Sequence, residues 1–405
     1  MNYKGFYKKD INTRKEILKE AGRFDETLNV HLREDIYEHM IENAIGVYEV
    51  PLGVVPNLII NDTAYTIPMA TEESSVIAAA NNGANYMNRN GGIQAVVVSD
   101  FLRGEVIFSN PHNKNKLLNT LHDTNALLEV SQKAHPSIIK RGGGVKKFEI
   151  RTLMDAQDTF IILDVFMDTK EAMGANMMNT VLEKLGTYIE SETNESVLMA
   201  ILTNHNPDSI VKAECIIDPE TLKFSHETAK RIAQSSKLSI LDTYRCATHN
   251  KGVMNGIDAV VLASGNDTRA INASIYTHHV NQPITTWVYE DNLLKGFIEI
   301  PLSVGTVGGS ISVHPKAQLF KKISNIQNKH ELMMVIASIG LTQNFAALYA
   351  LNTDGIQKGH MSLHAKNILI ALNCPQHLLE MATQLLLKSE HMNTETAQRI
   401  INDLT

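Results

Sequence analysis

The chain has 405 residues, 43% hydrophobic and 20% charged, with a formal net charge of −7. That is apolar material for two or three cores rather than one, and an acidic balance with scattered lysines and arginines offers no field for a polyanion, so nucleic acid is not an expected partner. Cys215, Cys246 and Cys374 lie far apart without CxxC spacing, which argues against a disulfide framework and for a reducing, cytoplasmic setting.

The N-terminus is charged and lacks an apolar signal segment, and nowhere do about 18 apolar residues run together, so no membrane association or targeting is expected. Residues 25–44 place Leu28, Leu32, Ile36, Met40 and Ile41 at helical spacing, predicting an amphipathic helix. Gly46, Pro51, Gly53 and Pro56 then oppose helix until NLII and AYTI, joined at Asn61-Asp62, read as a hairpin. After Pro68 a helix is expected with Thr71 as N-cap and Glu72 and Glu73 in its first turn, where the helix dipole favours carboxylates. On the residues alone that is the plain reading of Glu73, and a chemical role is the alternative.

From about residue 105 the segments GEVIF, NKLLNTLHDTNALLEVSQKA, KKFEIRTL, TFIILDVFM, MMNTVLEKLGTYI and SIVKAECII read as strand, helix, strand, strand, helix, strand. This βαββαβ order is the ferredoxin-like arrangement, of a length suited to an inserted domain. Two glycine sites punctuate it, Arg141 to Gly144 and Ala172-Met-Gly-Ala-Asn176. The second sets bare backbone N–H groups at a helix N-terminus, which is either an anion site or simply a tight turn. No GxGxxG follows a strand, and no Walker A loop, HExxH or GxSxG occurs, which disfavours a Rossmann domain, a P-loop enzyme, a zincin and a serine hydrolase.

Residues 225–246 form a polar-faced helical segment that delivers Arg245. In 247–270, Lys251, Asp267, glycines and amide or imidazole side chains crowd around the apolar run AVVLA. A straight helix would hold Lys251 and Asp267 about 24 Å apart. A shared site therefore requires a turn, expected at Gly256 or Gly265. TTWVYEDNLLKGFIEIPLSV reads as a hairpin around Glu290 to Asn292, and the nearly all-apolar residues 331–351 as a helix buried in a large domain or at a subunit contact. HLLEMATQLLLKS and ETAQRIINDL are helices of a small terminal lobe, a candidate moving part. At its entrance stands Gly359-His360-Met-Ser-Leu-His364. Two histidines without a third ligand predict no metal site, and one titrating His beside a moving segment suits proton transfer.

Taken together, ENAIG at 42–46, PMATEESSVIAAA at 68–80, AMGANMMNT at 172–180, THNKGVMNGID at 248–258, GND at 265–267 and GHMSLHA at 359–365 resemble hydroxymethylglutaryl-coenzyme A reductase, specifically its soluble class II form. The resemblance covers nearly the whole chain in the family's order. It implies an α+β fold: a large, mostly helical substrate domain in two parts (1–104 and 208–355), an inserted ferredoxin-like cofactor domain (105–207) and a small C-terminal helical lid (356–405). It also implies an NAD(P)H-dependent, two-step, four-electron reduction of 3-hydroxy-3-methylglutaryl-CoA to mevalonate and CoA, in isoprenoid biosynthesis.

By resemblance, Lys251 is a buried cation that stabilises the oxyanion formed on the thioester, and Asp267 sits beside it to keep it charged and oriented. Glu73 supplies a proton as the bound aldehyde is reduced, and His360 is the acid for the departing CoA thiolate. Ser75, Arg245, Asn255 and Asn204 map onto substrate contacts. Glu171, Met173, Gly174, Ala175 and Asn176 map onto the cofactor loop, with Glu171 where the family usually has Asp. Lys140, Arg141, Lys146 and Lys147 around the RGGG turn favour NADPH over NADH, since a basic neighbourhood accommodates a 2′-phosphate. The family further implies a homodimer with shared active sites, no metal and no membrane. Competing readings are the same enzyme run oxidatively in mevalonate catabolism and a CoA-thioester binding or acyl-transfer protein without redox chemistry.

Overall fold

The structure, a computed structural model, describes residues 3, 5–353, 355 and 357–405, the side chains of 357–360, 362 and 363 excepted. Helix α1 (Ile11–Glu20) starts at Asp10, whose carboxylate accepts from the backbone N–H groups of Asn12 and Thr13. The helix expected over 25–44 is not continuous. A 3-10 turn at Glu26–Leu28 is followed by the seven-residue α2 (Glu34–Met40), which buries none of its residues. Met40 and Ile41 are exposed and Leu28, Leu32 and Ile36 only half-buried, and a stripe covered this incompletely does not sustain a long helix.

Strands β1 (Leu52–Ile60) and β2 (Thr63–Ala70) form the expected hairpin. Asn61 and Asp62 both have positive φ, 47° and 62°, as a two-residue primed turn demands. Helix α3 (Val76–Arg89) begins later than the sequence suggested. The Thr71 N–H donates to the Pro51 carbonyl, so the hairpin ladder continues past β2, and Thr71 Oγ1 accepts from the Glu73 N–H within a local turn. Glu72 and Glu73 thus stand in a loop ahead of the helix rather than in its first turn.

After β3 (Gln94–Val97) come β4 (Leu102–Ser109), α4 (Lys114–His122), α5 (Thr124–Ala134), α6 (Pro136–Lys140), β5 (Gly144–Met154), β6 (Thr159–Asp168), α7 (Ala175–Thr193) and β7 (Val197–Leu202). These strands make an antiparallel sheet in the order β5-β6-β4-β7, the ferredoxin-like order. Its closing strand is β7, not SIVKAECII. That segment is β8 (Ile210–Ile217), which belongs to a second sheet with order β3-β8-β10-β9. Its alternating burial marks a strand with one buried face, but alternation says nothing about which sheet receives it.

The remainder is α8 (Ser225–Leu241), α9 (Thr243–Ala263), α10 (Thr268–His278), β9 (Thr285–Glu290), β10 (Leu293–Pro301), α11 (Pro315–Ser324), α12 (Lys329–Leu351), α13 (Gln357–Ala371), α14 (Leu379–Lys388) and α15 (Thr394–Leu404). Three hydrophobic clusters organise the chain. One gathers the β1–β2 hairpin, the second sheet, α3 and α8 to α12, another lies between the β4–β7 sheet and its helices, and a third joins α13, α14 and α15.

Helix α12 is long and apolar enough to cross a membrane by length and composition, and 89% of its apolar window is buried inside the protein, the pattern of a core helix. It packs on α9 at Gly256, where an added Cβ would lie 2.9 Å from Gln343 Cβ and 3.0 Å from Ile339 Cγ2. Gly256 therefore permits close helix packing and makes no turn. The turn comes at Gly265, with φ +77°.

Candidate active site

On α9, Lys251, Asn255, Asp258 and Leu262 fall on one face by helical spacing. Asn255, Asp258 and Leu262 line a cleft of about 380 Å³ closed on the other sides by Ala70 to Glu73 and by Thr268, Arg269 and Asn272 of α10. Lys251 Nζ donates to Glu73 Oε2 at 2.6 Å. The hairpin exit and the middle of α9 are far apart in the sequence, and this ion pair is where they meet.

Two expectations need correction. The lysine is not buried within one chain: the Lys251 and Glu73 side chains are 57% and 40% exposed. In that setting water screens the cation, so its electrostatic leverage on an oxyanion stays small until the site is closed. Lys251 is also not paired with Asp267 among the described residues; its carboxylate partner is Glu73. Asp267 instead caps α10, its side chain accepting from the N–H groups of Arg269 and Ala270, with the Arg269 guanidinium alongside at 3.2 Å. Burial acts to raise the Asp267 pKa, but the Arg269 side chain and the two N–H donors outweigh it and hold the carboxyl below its ordinary value. Asp267 directly precedes the cleft residues Thr268 and Arg269 but does not itself line the cleft.

Ser75, the residue before α3, adopts the left-handed conformation at φ 75°, and its buried Oγ has no hydrogen-bond partner. Ser75 lies two residues from Glu73 and does not itself line the cleft, and a buried hydroxyl without a partner is the exception in a folded protein. Arg245 and Asn204 do not line the cleft. Arg245 lies earlier on α9, half-buried, and Asn204 is exposed in the segment between β7 and β8. Asp258 was not singled out from the sequence. Burial pushes its pKa up, and the hydrogen bond from Asn272 Nδ2, at 2.7 Å, only partly offsets this. Its position seven residues beyond Lys251, on the same helical face, is the signal that could have found it.

His360 falls in α13, but its side chain lies outside the described residues. His279, for which the sequence offered no account, hydrogen-bonds through Nε2 to the Glu299 carbonyl at 2.9 Å, and burial lowers its pKa.

The second site-like region is the start of α7. Gly174 is its N-cap at φ 97°, no side chain caps the helix, and an added Cβ would lie 2.3 Å from Thr169 Cγ2. The first-turn N–H groups of Ala175, Asn176 and Met177 thus have no side-chain acceptor, and such a terminus fits a phosphate-sized anion. Glu171, expected among the cofactor contacts, spends Oε2 on the protein: it accepts from Thr306 Oγ1 at 2.7 Å and from the Lys329 N–H at 2.8 Å. Of the basic residues near the RGGG turn, Lys147 is engaged by Glu149 and by the Phe166 ring, whereas Lys146 reaches the Gly142 carbonyl at 3.4 Å.

A family model described as hydroxymethylglutaryl-coenzyme A reductase matches residues 10–365. The chain belongs to that family. It is 35% identical over 410 residues to 3-hydroxy-3-methylglutaryl-coenzyme A reductase of Archaeoglobus fulgidus, covering 99% of this chain and 94% of the relative. A probable reductase of Borreliella burgdorferi is also 35% identical, over 89% of this chain and 84% of its own length. Among solved structures, the reductase of Streptococcus pneumoniae superimposes with a TM-score of 0.83 at 34% identity, each chain covered in full. A structure of the class II enzyme from that organism bound to NADPH in open conformations gives a TM-score of 0.83 at 35% identity, covering 87% of this chain and all of its own.

Proposed function

We propose that the chain reduces 3-hydroxy-3-methylglutaryl-CoA to mevalonate and free CoA, consuming two NADPH and two protons per thioester. The Lys251–Glu73 ion pair at the cleft carries this reading within a chain of the reductase family. When bound, the reduced nicotinamide supplies hydride, and the start of α7, from Gly174 to Asn176, is the candidate holder of its phosphates. The acid–base and binding work falls to the chain. Lys251 Nζ donates hydrogen bonds to the oxyanion raised on the thioester carbonyl. His360 gives a proton to the CoA sulfur as the carbon–sulfur bond of the hemithioacetal breaks. Glu73, in contact with Lys251 Nζ, passes a proton to the aldehyde oxygen as that carbonyl is reduced. In this reading Asn255 and Ser75 Oγ bind the hydroxyl and carboxylate of the substrate, and Arg245 and Asn204, which lie off the cleft of the single chain, join them in the assembled site.

An exposed lysine needs a cover before it can act this way. A second copy of the chain supplies it in this reading, together with closure of the α13–α15 lobe. In the single chain Leu241, the last residue of α8, and Tyr244, in the first turn of the helix that carries Lys251, are 74% and 87% exposed, as suits a surface covered by a partner. In this reading the enzyme works in the cytoplasm. The test is NADPH absorbance loss on adding 3-hydroxy-3-methylglutaryl-CoA, followed with thiol release. Two cofactors oxidised per thiol are expected. Thiol release without oxidation would replace the reductase with a thioester hydrolase or acyl-transfer reading.

A further inference from the structure

The residue next to Asp267 is tied to the cofactor loop through a third segment. Asn266 Nδ2 donates to the Gly305 carbonyl at 3.0 Å, and the Gly305 N–H donates back to Asn266 Oδ1 at 2.8 Å. A side-chain amide that pairs with both polar groups of one residue acts like an added strand residue, fixing distance and orientation together. Gly305 then meets the other unit almost backbone to backbone, for a Cβ placed on it would lie 2.5 Å from the Met173 N. One residue on, the Thr306 N–H donates to the Glu171 carbonyl at 2.8 Å, and Thr306 Oγ1 donates to Glu171 Oε2. Val307 forms a parallel bridge with Ala172. Glu171 Oε2 also accepts the N–H of Lys329 at the start of α12.

The two ends of this bridge are alike in kind. Asp267 is the N-cap of α10 and Gly174 is the N-cap of α7. One helix start presents the Asp267 carboxylate, expected at the catalytic site, and the other a candidate phosphate cradle, and the segment 305–307 is clasped between them. Nothing else in the reductase reading uses Asn266, Thr306 or the committed oxygen of Glu171.

We propose that Asn266 is a positioning residue which, through Gly305 and Thr306, sets where the 171–176 loop stands relative to Asp267, with Glu171 as the receiving strut. The inference rests on the reductase reading for its catalytic consequence, but its structural half does not. Binding energy for each ligand comes from groups other than Asn266, whereas the alignment of hydride donor with acceptor depends on the spacing between the two helix starts. Misplacement by about 1 Å at such a spacing costs on the order of 100-fold in rate.

The experiment compares Asn266→Ala, Glu171→Asp and wild type as full-length proteins. Asn266→Ala is expected to lower kcat by roughly 10- to 100-fold, with KM for NADPH and for the thioester within about twofold and an enlarged isotope effect from deuterated NADPH. Glu171→Asp keeps the charge but, one methylene shorter, loses reach to Thr306 and the Lys329 N–H, so it should show the same split more weakly. In parallel, amide hydrogen exchange over 171–176 is measured without ligands. Faster exchange there in Asn266→Ala, across a contact rather than along the chain, is expected. Exchange over 171–176 unchanged in Asn266→Ala overturns the bridge. Wild-type kcat, or a loss of kcat matched by loss of folded protein with an unchanged isotope effect, overturns the positioning role. Absence of turnover in the wild type would instead defeat the reductase reading, and the exchange measurement would still decide whether the bridge exists.

Discussion

The cleft at Glu73 and Lys251 and the junction at Glu171, Asn266 and Lys329 are built to opposite rules. At the cleft Lys251 and Glu73 are open to water and hold one another by one ion pair, and the buried Oγ of Ser75 nearby has no partner among the described residues. At the junction the polar groups are used up: Lys329 is 4% exposed, its Nζ 2.7 Å from Asp100 Oδ2 and 3.3 Å from Thr169 Oγ1. The difference shows where each region spends its interaction energy. Groups satisfied within the fold hold it together and have little left for a ligand, whereas groups left unsatisfied stabilise nothing and await one. Helix α9 repeats the contrast at its own scale, with Lys251 on the open side and His249 and Asn250 buried on the other.

If this contrast holds, substitutions in the cleft change rate without stability, whereas breaking the buried Asp100–Lys329 pair at the junction or altering the buried side of α9 changes stability. The largest effect is expected for Lys251→Ala, which should lower kcat by about 1,000-fold while the midpoint of denaturant unfolding stays that of wild type. Turnover within tenfold of wild type, or a shifted midpoint, would break the contrast from the cleft side. Asp100→Ala should do the reverse. It strands the buried Lys329 ammonium, and breaking such a pair costs about 3–5 kcal/mol, read as a lower midpoint in urea. An unchanged midpoint would show that the junction is not structural.

The third test is pH dependence on α9. His249 Nε2 lies 2.8 Å from Thr285 Oγ1 and 3.1 Å from the Thr285 carbonyl, and burial lowers its pKa to about 4. The unfolded chain takes up this proton near the ordinary histidine value of 6.5. The folded chain refuses it until about pH 4, so unfolding binds a proton between those values. The stability is fully present above the unfolded pKa and is lost as pH falls through that window, by about 3 kcal/mol at most. His249→Gln should flatten that part of the pH–stability curve. An equal slope in both proteins would remove His249 from the account.

Much of the local architecture was legible because it depends on neighbours in sequence. The Asn61-Asp62 and Glu290 to Asn292 turns, the helices of the last 40 or so residues and the burial of 331–351 follow from turn chemistry and apolar periodicity. The misreadings share one cause. The helix over 25–44 has the right spacing, but the rest of the chain covers its apolar stripe only in part. Thr71 has the right type for a cap but is drawn into the hairpin by Pro51. SIVKAECII alternates as a strand should, but its partners β3 and β10 belong to the other sheet.

The candidate site divides along the same line. By itself the sequence supplied the candidates, since motifs at 68–80, 172–180, 248–258 and 265–267 carry the residue types that the proposed chemistry requires. Which carboxylate meets Lys251 was decided only by tertiary structure, because an ion pair between residues 73 and 251 depends on how a hairpin exit packs against a helix. The same holds for Asn266 and Glu171, whose amide and carboxylate look free in the sequence. They are committed only when segment 305–307 arrives between them, and long-range packing of that kind leaves no periodicity to read.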